Sequence, residues 1–441
     1  MRYCCFLLLL CFTSCVKYLD KKSDATLAIP KSLDDLHGLF NDNLYITTGI
    51  TPGDGTVAAD EYFITDDRFN SLNDNFKDAY FWRPQKYPSG DWADAYKAVF
   101  NSNFCLENLP SIPRNNANAA KYDQVQGTAY FFRAFTFLNL VWQYGKAYDP
   151  NTAQTDLGIV LKESTNINEK SVRASVRECY DKVISDAHNA LRLLPQSVVH
   201  VVQPTRAAAA AVLARAFLSM KVYDSAGYYA NLCLQEESEL LDFNTINVDR
   251  NPMRYGRYDN PEIIFYSEGF SGLAASSSAY VDSNLYALFV PGDLRLRAWF
   301  AQRGNWYYYK GSYTERANHF SGLATDEMYL VRAESHARAG RINEAMDDLN
   351  HLLRHRWDGS FVPLTASTAG EALQLILTER RKELLFRLLR FMDIKRLNTE
   401  GAGISVRRLV NGQLYELPPN DPRFALPIPR QIIEVTGMPQ N

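Results

Sequence analysis

At 441 residues the chain has room for one large domain or two to three ordinary ones, and its 22% charged and 46% hydrophobic side chains are those of a globule, not of a disordered chain. With 47 basic and 50 acidic residues the net charge is −3, so nothing suggests the basic face that nucleic-acid binding requires. The unusual number is 13% aromatic, weighted toward Tyr, whose flat apolar face and polar tip suit half-wet binding surfaces.

Met1-Arg2-Tyr3-Cys4-Cys5 leads into an apolar run from Phe6 to Phe12. Seven residues fall far short of the roughly 20 that a transmembrane helix needs, but they match the middle of a secretory signal. Small Thr13 and Ser14 follow, then Cys15, and Phe12-Thr13-Ser14-Cys15 resembles a bacterial lipobox with Phe where Leu is usual. That resemblance implies a signal peptide over 1–14, cleavage before Cys15, lipid on its sulfur and new amino group, and a tether over 15–30. Several acyl chains anchor a protein stably where one holds it marginally. Cys105, Cys179 and Cys233 are too few and scattered for a disulfide framework, and each sits among apolar helical residues as a buried thiol would.

Ser32-Leu33-Asp34-Asp35 reads as a capped helix start, with Leu33, Leu36, His37 and Phe40 facing inward. Residues 41–90 read as loops with short helical pieces. A helix opens at Asp91-Trp92 and runs to Leu109-Pro110; others run from about Lys121, from Ser175 to Leu194, and over the Ala-rich Thr205 to Met220. MKVYDSA (220–226) and AGRINEA (339–345) then mark an internal repeat at an offset of 119 residues, each copy a helix, tight turn and helix in the manner of a tetratricopeptide unit. The predicted pairs lie near 92–110, 121–194, 205–236 and 325–356. Between the copies, about 240–322 keeps few helical patterns, and such loops carry function more often than scaffold helices do. Ala369 to Leu397 is predicted as one long charged helix; the end, RFALPIPRQIIEV, is extended at Leu426 to Pro429 and then helical.

Catalytic signals are poor. His351 and His355 share a helix face but lack a third zinc ligand. Gly53 to Ala58 loosely matches a dinucleotide loop without the strand that should precede it. Asp347-Asp348 reads as a solvated pair on a repeat helix, and the acids from Asp66 to Asp74 lack EF-hand spacing. No cofactor and no metal is expected. Binding signals are better, because a sugar's CH face suits an aromatic plane and its hydroxyls need polar partners. GNWYYYKGSY supplies Trp306, Tyr307, Tyr308 and Tyr309 beside Asn305 and Lys310; if extended, Trp306 and Tyr308 share one side and Tyr307 and Tyr309 the other, so that either one pair is core and the other a platform, or all four simply pack. Trp82 and Arg83 are further site candidates, and Tyr62 and Asp60 have a similar but weaker case; Trp92 and Trp142 belong to the core.

QGTAYFFRAFTFLNLVWQYG, QPTRAAAAAVLARAFLSM, NPEIIF, EMYLVRAESHARAGRINEAMDDLNHLLRHR, ERRKELLFRLLRFMDIKRLN and FALPIP, in this order, resemble the SusD/RagB family over almost all of the chain after Cys15. Leu388 and Lys221 depart from it, standing where Gly is common. The resemblance implies a mostly α fold in one domain over 31–441, with about four tetratricopeptide-like helix pairs and an irregular, loop-rich ligand-binding half. It also implies an outer-membrane lipoprotein that captures an oligomeric nutrient, most often a glycan, for a SusC-like TonB-dependent transporter, and catalyses nothing. The residues leave other readings open: the same fold with peptide cargo, a helical-repeat scaffold that binds no small ligand, and an enzyme acting on glycans.

Overall fold

The computed structural model describes residues 30–41, 48–85, 90–275 and 277–441. Cys15, the signal segment and the tether up to residue 29 lie outside the described residues. Helix α1 (Leu33–Gly38) starts with a full capping box: the Ser32 hydroxyl accepts from the Asp35 N–H, and the Asp35 carboxylate accepts from the Ser32 N–H. Short helices follow, α2 (Asp54–Ala58), α3 (Asp66–Asn70) and α4 (Asp74–Tyr80). The scaffold comprises α5 (Asp91–Asn108), α6 (Ala119–Tyr144), α7 (Val176–Leu193), α8 (Arg206–Ser219) and α9 (Tyr223–Glu236). The irregular half holds α10 (Ser283–Tyr286) and α11 (Arg295–Trp299). The scaffold resumes with α12 (Thr325–Arg338), α13 (Ile342–Arg354), α14 (Ala369–Glu383) and α15 (Arg390–Asn398), and α16 (Arg430–Thr436) follows Pro429 as predicted. From α5 to α9 each helix packs on the next; α9 packs on α12, and α12 on both α13 and α14. Strands among the described residues form only two-stranded antiparallel ladders. No helix among them is long and apolar enough to cross a membrane.

The sequence repeat is a structural repeat. Shifted by 119, α8 and α9 fall on α12 and α13 to within one residue at the last position. Both turns use left-handed backbone at the equivalent place, Lys221 at φ 65° and Gly340 at φ 76°. Small residues set the helix spacing: a Cβ on Gly227 of α9 would stand 2.2 Å from Ser335 Oγ of α12. Ala-rich α8 is buried nearly all round, as a helix without a polar face must be. Cys105, Cys179 and Cys233 are free and buried, and Trp92 and Trp142 are core.

The long charged helix does not form. It breaks at 384–389, where Phe386 (φ 54°) and Leu388 (φ 61°) adopt left-handed backbone. The Phe386 N–H donates to Glu61 Oε1 at 2.7 Å. The charges of this stretch are buried: Glu379, Arg380, Lys382, Glu383, Arg387, Asp393 and Arg396 are all inside. Each meets an opposite charge across an interface. Arg396 binds Glu334 of α12 at 2.7 and 2.8 Å, Arg380 binds Asp393 at 2.9 Å, and Arg387 binds Asp326 at 2.9 Å. Asp348 corrects the reading in the same way, being buried against Arg332 at 2.6 and 2.9 Å, whereas Asp347 is exposed.

Gly340→Ala should cost about 1 kcal/mol because a side chain strains left-handed backbone. Lys221→Gly at the sister turn should gain about 0.5 kcal/mol, the relieved strain less the added chain entropy; urea midpoints measure both. Burial pushes the Glu61 carboxyl from 4.5 up to about 8. Over that interval the folded protein holds a proton the unfolded chain has lost, so this site's contribution is full below about pH 4.5 and falls away as the pH climbs to 8. Glu61→Gln keeps an acceptor for Phe386 without the charge. It should match wild type at pH 5 and exceed it at pH 8 by on the order of 4 kcal/mol in urea unfolding.

Candidate functional site

The best candidate is built on one hairpin. Strand Phe300–Arg303 pairs antiparallel with strand Trp306–Tyr309, in the register Arg303↔Trp306, Gln302↔Tyr307, Ala301↔Tyr308 and Phe300↔Tyr309. The two-residue loop Gly304-Asn305, with Gly304 at φ 61°, is a strong hairpin signal. Asn305 is exposed in that loop. Alternation along the strand then separates the aromatics. Tyr307 stacks on Tyr286 at 3.9 Å and 11°, and Tyr309 packs on Phe386 at 5.0 Å and Trp299 at 6.5 Å. These two face the body of the protein.

Trp306 and Tyr308 present the other face. Trp306 is 40% exposed, the largest opening of any Trp among the described residues. Its indole meets Phe63 edge-on at 5.7 Å and Tyr280 at 5.2 Å, and those two rings stack on each other at 5.7 Å. The Arg303 guanidinium lies 4.3 Å from the centre of the Tyr308 ring and 6.0 Å from that of Tyr280. The Tyr308 hydroxyl accepts from Asn251 Nδ2 at 2.9 Å. A cleft of about 250 Å³ opens beside this face, lined by Tyr308, Arg303, Lys310, Arg316, Asn251 and others. Its inner wall includes His319, which burial pushes down to about 3 and whose Nδ1 lies 2.8 Å from Ser271 Oγ. Aromatic plane, amide and hydroxyl groups therefore converge at one open place.

The other predicted residues lie elsewhere, and the structure corrects them. Tyr62 is 1% exposed; its hydroxyl donates to the Val57 carbonyl at 3.2 Å, and Arg408 covers its ring at 5.2 Å. It belongs to the core. Its neighbour Phe63, pointing the opposite way along the strand that pairs Phe63 with Tyr280, is the one that reaches the platform. Trp82 is also core, 3% exposed, with its indole N–H donating to the Ala58 carbonyl at 3.0 Å. Arg83 is exposed over the Phe81 ring at 5.2 Å and, with Trp82, lines a separate small hollow beside Pro427 and Pro429. Asp60 is clamped by Arg390 at 2.7 and 2.8 Å and by Arg381 at 3.1 Å. Burial opposes its charge, but these guanidiniums hold the carboxyl well below its usual range.

Rival sites carry less. Near Gly53 the backbone N–H groups of Gly53 and Asp54 already donate to Asp91, at 2.7 and 2.9 Å. A roomier cleft of about 430 Å³ is lined by Lys146, Asp149, Asp156, Lys395 and Asp421. Lys146 is already paired with Asp156 at 2.6 Å. Lys395, pushed down to about 7 by burial, is spent on the carbonyls of Trp142 and Gly145 at 2.5 and 2.6 Å, where it caps the end of α6. The cleft's one aromatic, Phe424, is buried. Among the described residues no three His, Cys, Asp or Glu side chains group as metal ligands do.

Phe63, Tyr280, Arg303, Asn251 and Arg316 were not singled out by sequence patterns. Only Arg303 had a signal: the Gly304-Asn305 turn places it opposite Trp306.

Comparison with known proteins agrees with this architecture. A family model described as "Starch-binding associating with outer membrane" matches residues 17–218, and a SusD family model matches 325–416. SusD-like protein P2 of Formosa agariphila is 24% identical over 372 residues, covering 70% of this chain and 71% of that protein. A SusD superfamily protein from Bacteroides thetaiotaomicron superposes with a TM-score of 0.77 at 21% identity, over 93% of this chain and 100% of its own. A sugar-binding protein from Bacteroides vulgatus, so described with reserve, gives 0.75 at 22% identity over 94% and 99%. A laminarin binding SusD-like protein gives 0.67 at 17% identity over 92% and 97%. With two models of one family matching in order on either side of the irregular region, and that family's fold running through the whole body, the chain belongs to the SusD/RagB family.

Proposed function

We propose that this protein binds an oligosaccharide across the Trp306–Tyr308 face and hands it, unaltered, to a SusC-like TonB-dependent transporter, held at the outer-membrane surface by lipid on Cys15. The observation that carries this reading is the open indole of Trp306 beside Tyr308, Asn251 and a cleft. An aromatic plane covers the apolar side of a sugar ring, and neighbouring polar groups replace the water its hydroxyls lose. No Asp or Glu is among the residues lining the cleft. Hydrolysis by the usual glycosidase route needs two carboxylates roughly 5–10 Å apart, so retention fits the cleft better than turnover. Kinship with a laminarin binding protein supports a glycan as cargo.

In affinity electrophoresis against a polysaccharide panel, Trp306→Ala and Tyr308→Ala should each weaken retention at least about tenfold. Retention of peptides and of no polysaccharide would move the cargo to another class. An unchanged mobility of both variants on a retaining polysaccharide would remove the platform. Labelled palmitate should enter the wild-type protein and not Cys15→Ser; equal labelling would refute the anchor.

A further inference from the structure

We infer that the cleft beside Tyr308 selects an acidic oligosaccharide, one carrying uronate carboxylates or sulfate esters, through Arg303, Lys310 and Arg316. The inference rests on the glycan reading above and adds its charge class.

The whole chain is net negative at −3, yet the cleft is lined by three cationic side chains and no carboxylate. Nearby acids are already engaged. Glu315 binds Arg254 at 3.2 Å and accepts from the Tyr255 and Gly256 N–H groups at 2.8 and 3.0 Å. Asp249 is paired with Arg297, and Glu268 with Arg257 at 2.8 Å. None of the ion pairs among the described residues includes Arg303, Lys310 or Arg316. Three cations therefore line one cleft with no carboxylate on its wall.

Their positions suit the task. Arg303 is exposed, its guanidinium 4.3 Å from the centre of the Tyr308 ring, with one Nη1 contact to the Ser277 carbonyl. A guanidinium is weakly hydrated and offers a planar fork that matches carboxylate and sulfate oxygens. Lys310 is fixed by the Arg250 carbonyl at 2.9 Å, and Arg316 is exposed on the same cleft. A sugar ring on Trp306 and Tyr308 thus has a cationic wall beside its substituents. Two flexible neutral partners would suffice for hydroxyls; fixed cations favour charge.

Calorimetric titration of the full chain with oligogalacturonate, a sulfated galactan oligosaccharide and a neutral β-1,3-glucan oligosaccharide tests this. At least one acidic probe should bind at least about tenfold more tightly than the neutral one, and preference between the two assigns carboxylate or sulfate. Arg303→Gln with Arg316→Gln should cut that affinity at least about tenfold, and raising salt from 50 to 500 mM should weaken it, with the unfolding midpoint unchanged. Arg303→Lys should retain more affinity than Arg303→Gln. Tighter binding of the neutral glucan, insensitive to these variants but lost in Trp306→Ala, would overturn the charge assignment and leave the glycan reading standing. Binding of polyglutamate as tight as that of the acidic sugars would overturn it in favour of an acidic peptide. Absence of binding to all three sugars would overturn both.

Discussion

The structure hangs on a buried ionic seam between the helices and the irregular half. Arg295 of α11 reaches Asp293, Glu379 and Glu383, each at 2.7 Å. Arg356, just beyond α13, reaches Glu262 at 2.6 Å and Glu383 at 2.7 Å. Lys382 closes the set on Asp293 and Glu379, at 3.0 and 2.7 Å. Desolvating so many charges gains little net stability, but removing one partner strands another in low dielectric at a cost of about 3–5 kcal/mol. The seam is therefore a device of placement. It joins the loop-rich half to α14 through matched charges.

That placement extends directly to the candidate site. Arg295 sits in α11, α11 ends at Trp299, and the hairpin strand begins at Phe300. On the other side the turn at Phe386 is held by Glu61, and Phe386 underlies Tyr309 at 5.0 Å. The aromatic face is thus mounted on the scaffold through covalent continuity and through a packed ring. The two family models match 17–218 and 325–416, on either side of the hairpin.

How far the sequence could be read follows from these physics. Helical periodicity and caps were legible for the scaffold, and the 119-residue repeat carried through to the turn conformation at Lys221 and Gly340. The departures from Gly at Lys221 and Leu388 both fall on left-handed backbone, at φ 65° and 61°, so they mark real strain and not a different path. The break in the charged helix is invisible to local pattern because the partner that holds it is distant: the Phe386 N–H donates to Glu61, 325 residues away. At the site, strand alternation correctly divided Trp306 and Tyr308 from Tyr307 and Tyr309. Tyr62 is buried because a one-residue phase decides which face is outside, and nothing local fixes the phase of a two-residue strand. Trp82 was hidden for a plainer reason: Arg408 and Arg423, which lie against its ring, are more than 300 positions away in the chain.

Hydrogen–deuterium exchange of the full chain, with and without a retained oligosaccharide, tests the location of the site most directly. The account predicts added protection confined to the hairpin 300–309 and the adjoining cleft segments near 251 and 316, with the helices unchanged. Protection concentrated instead at 146–156 and 420–425, around the roomier cleft, would contradict it.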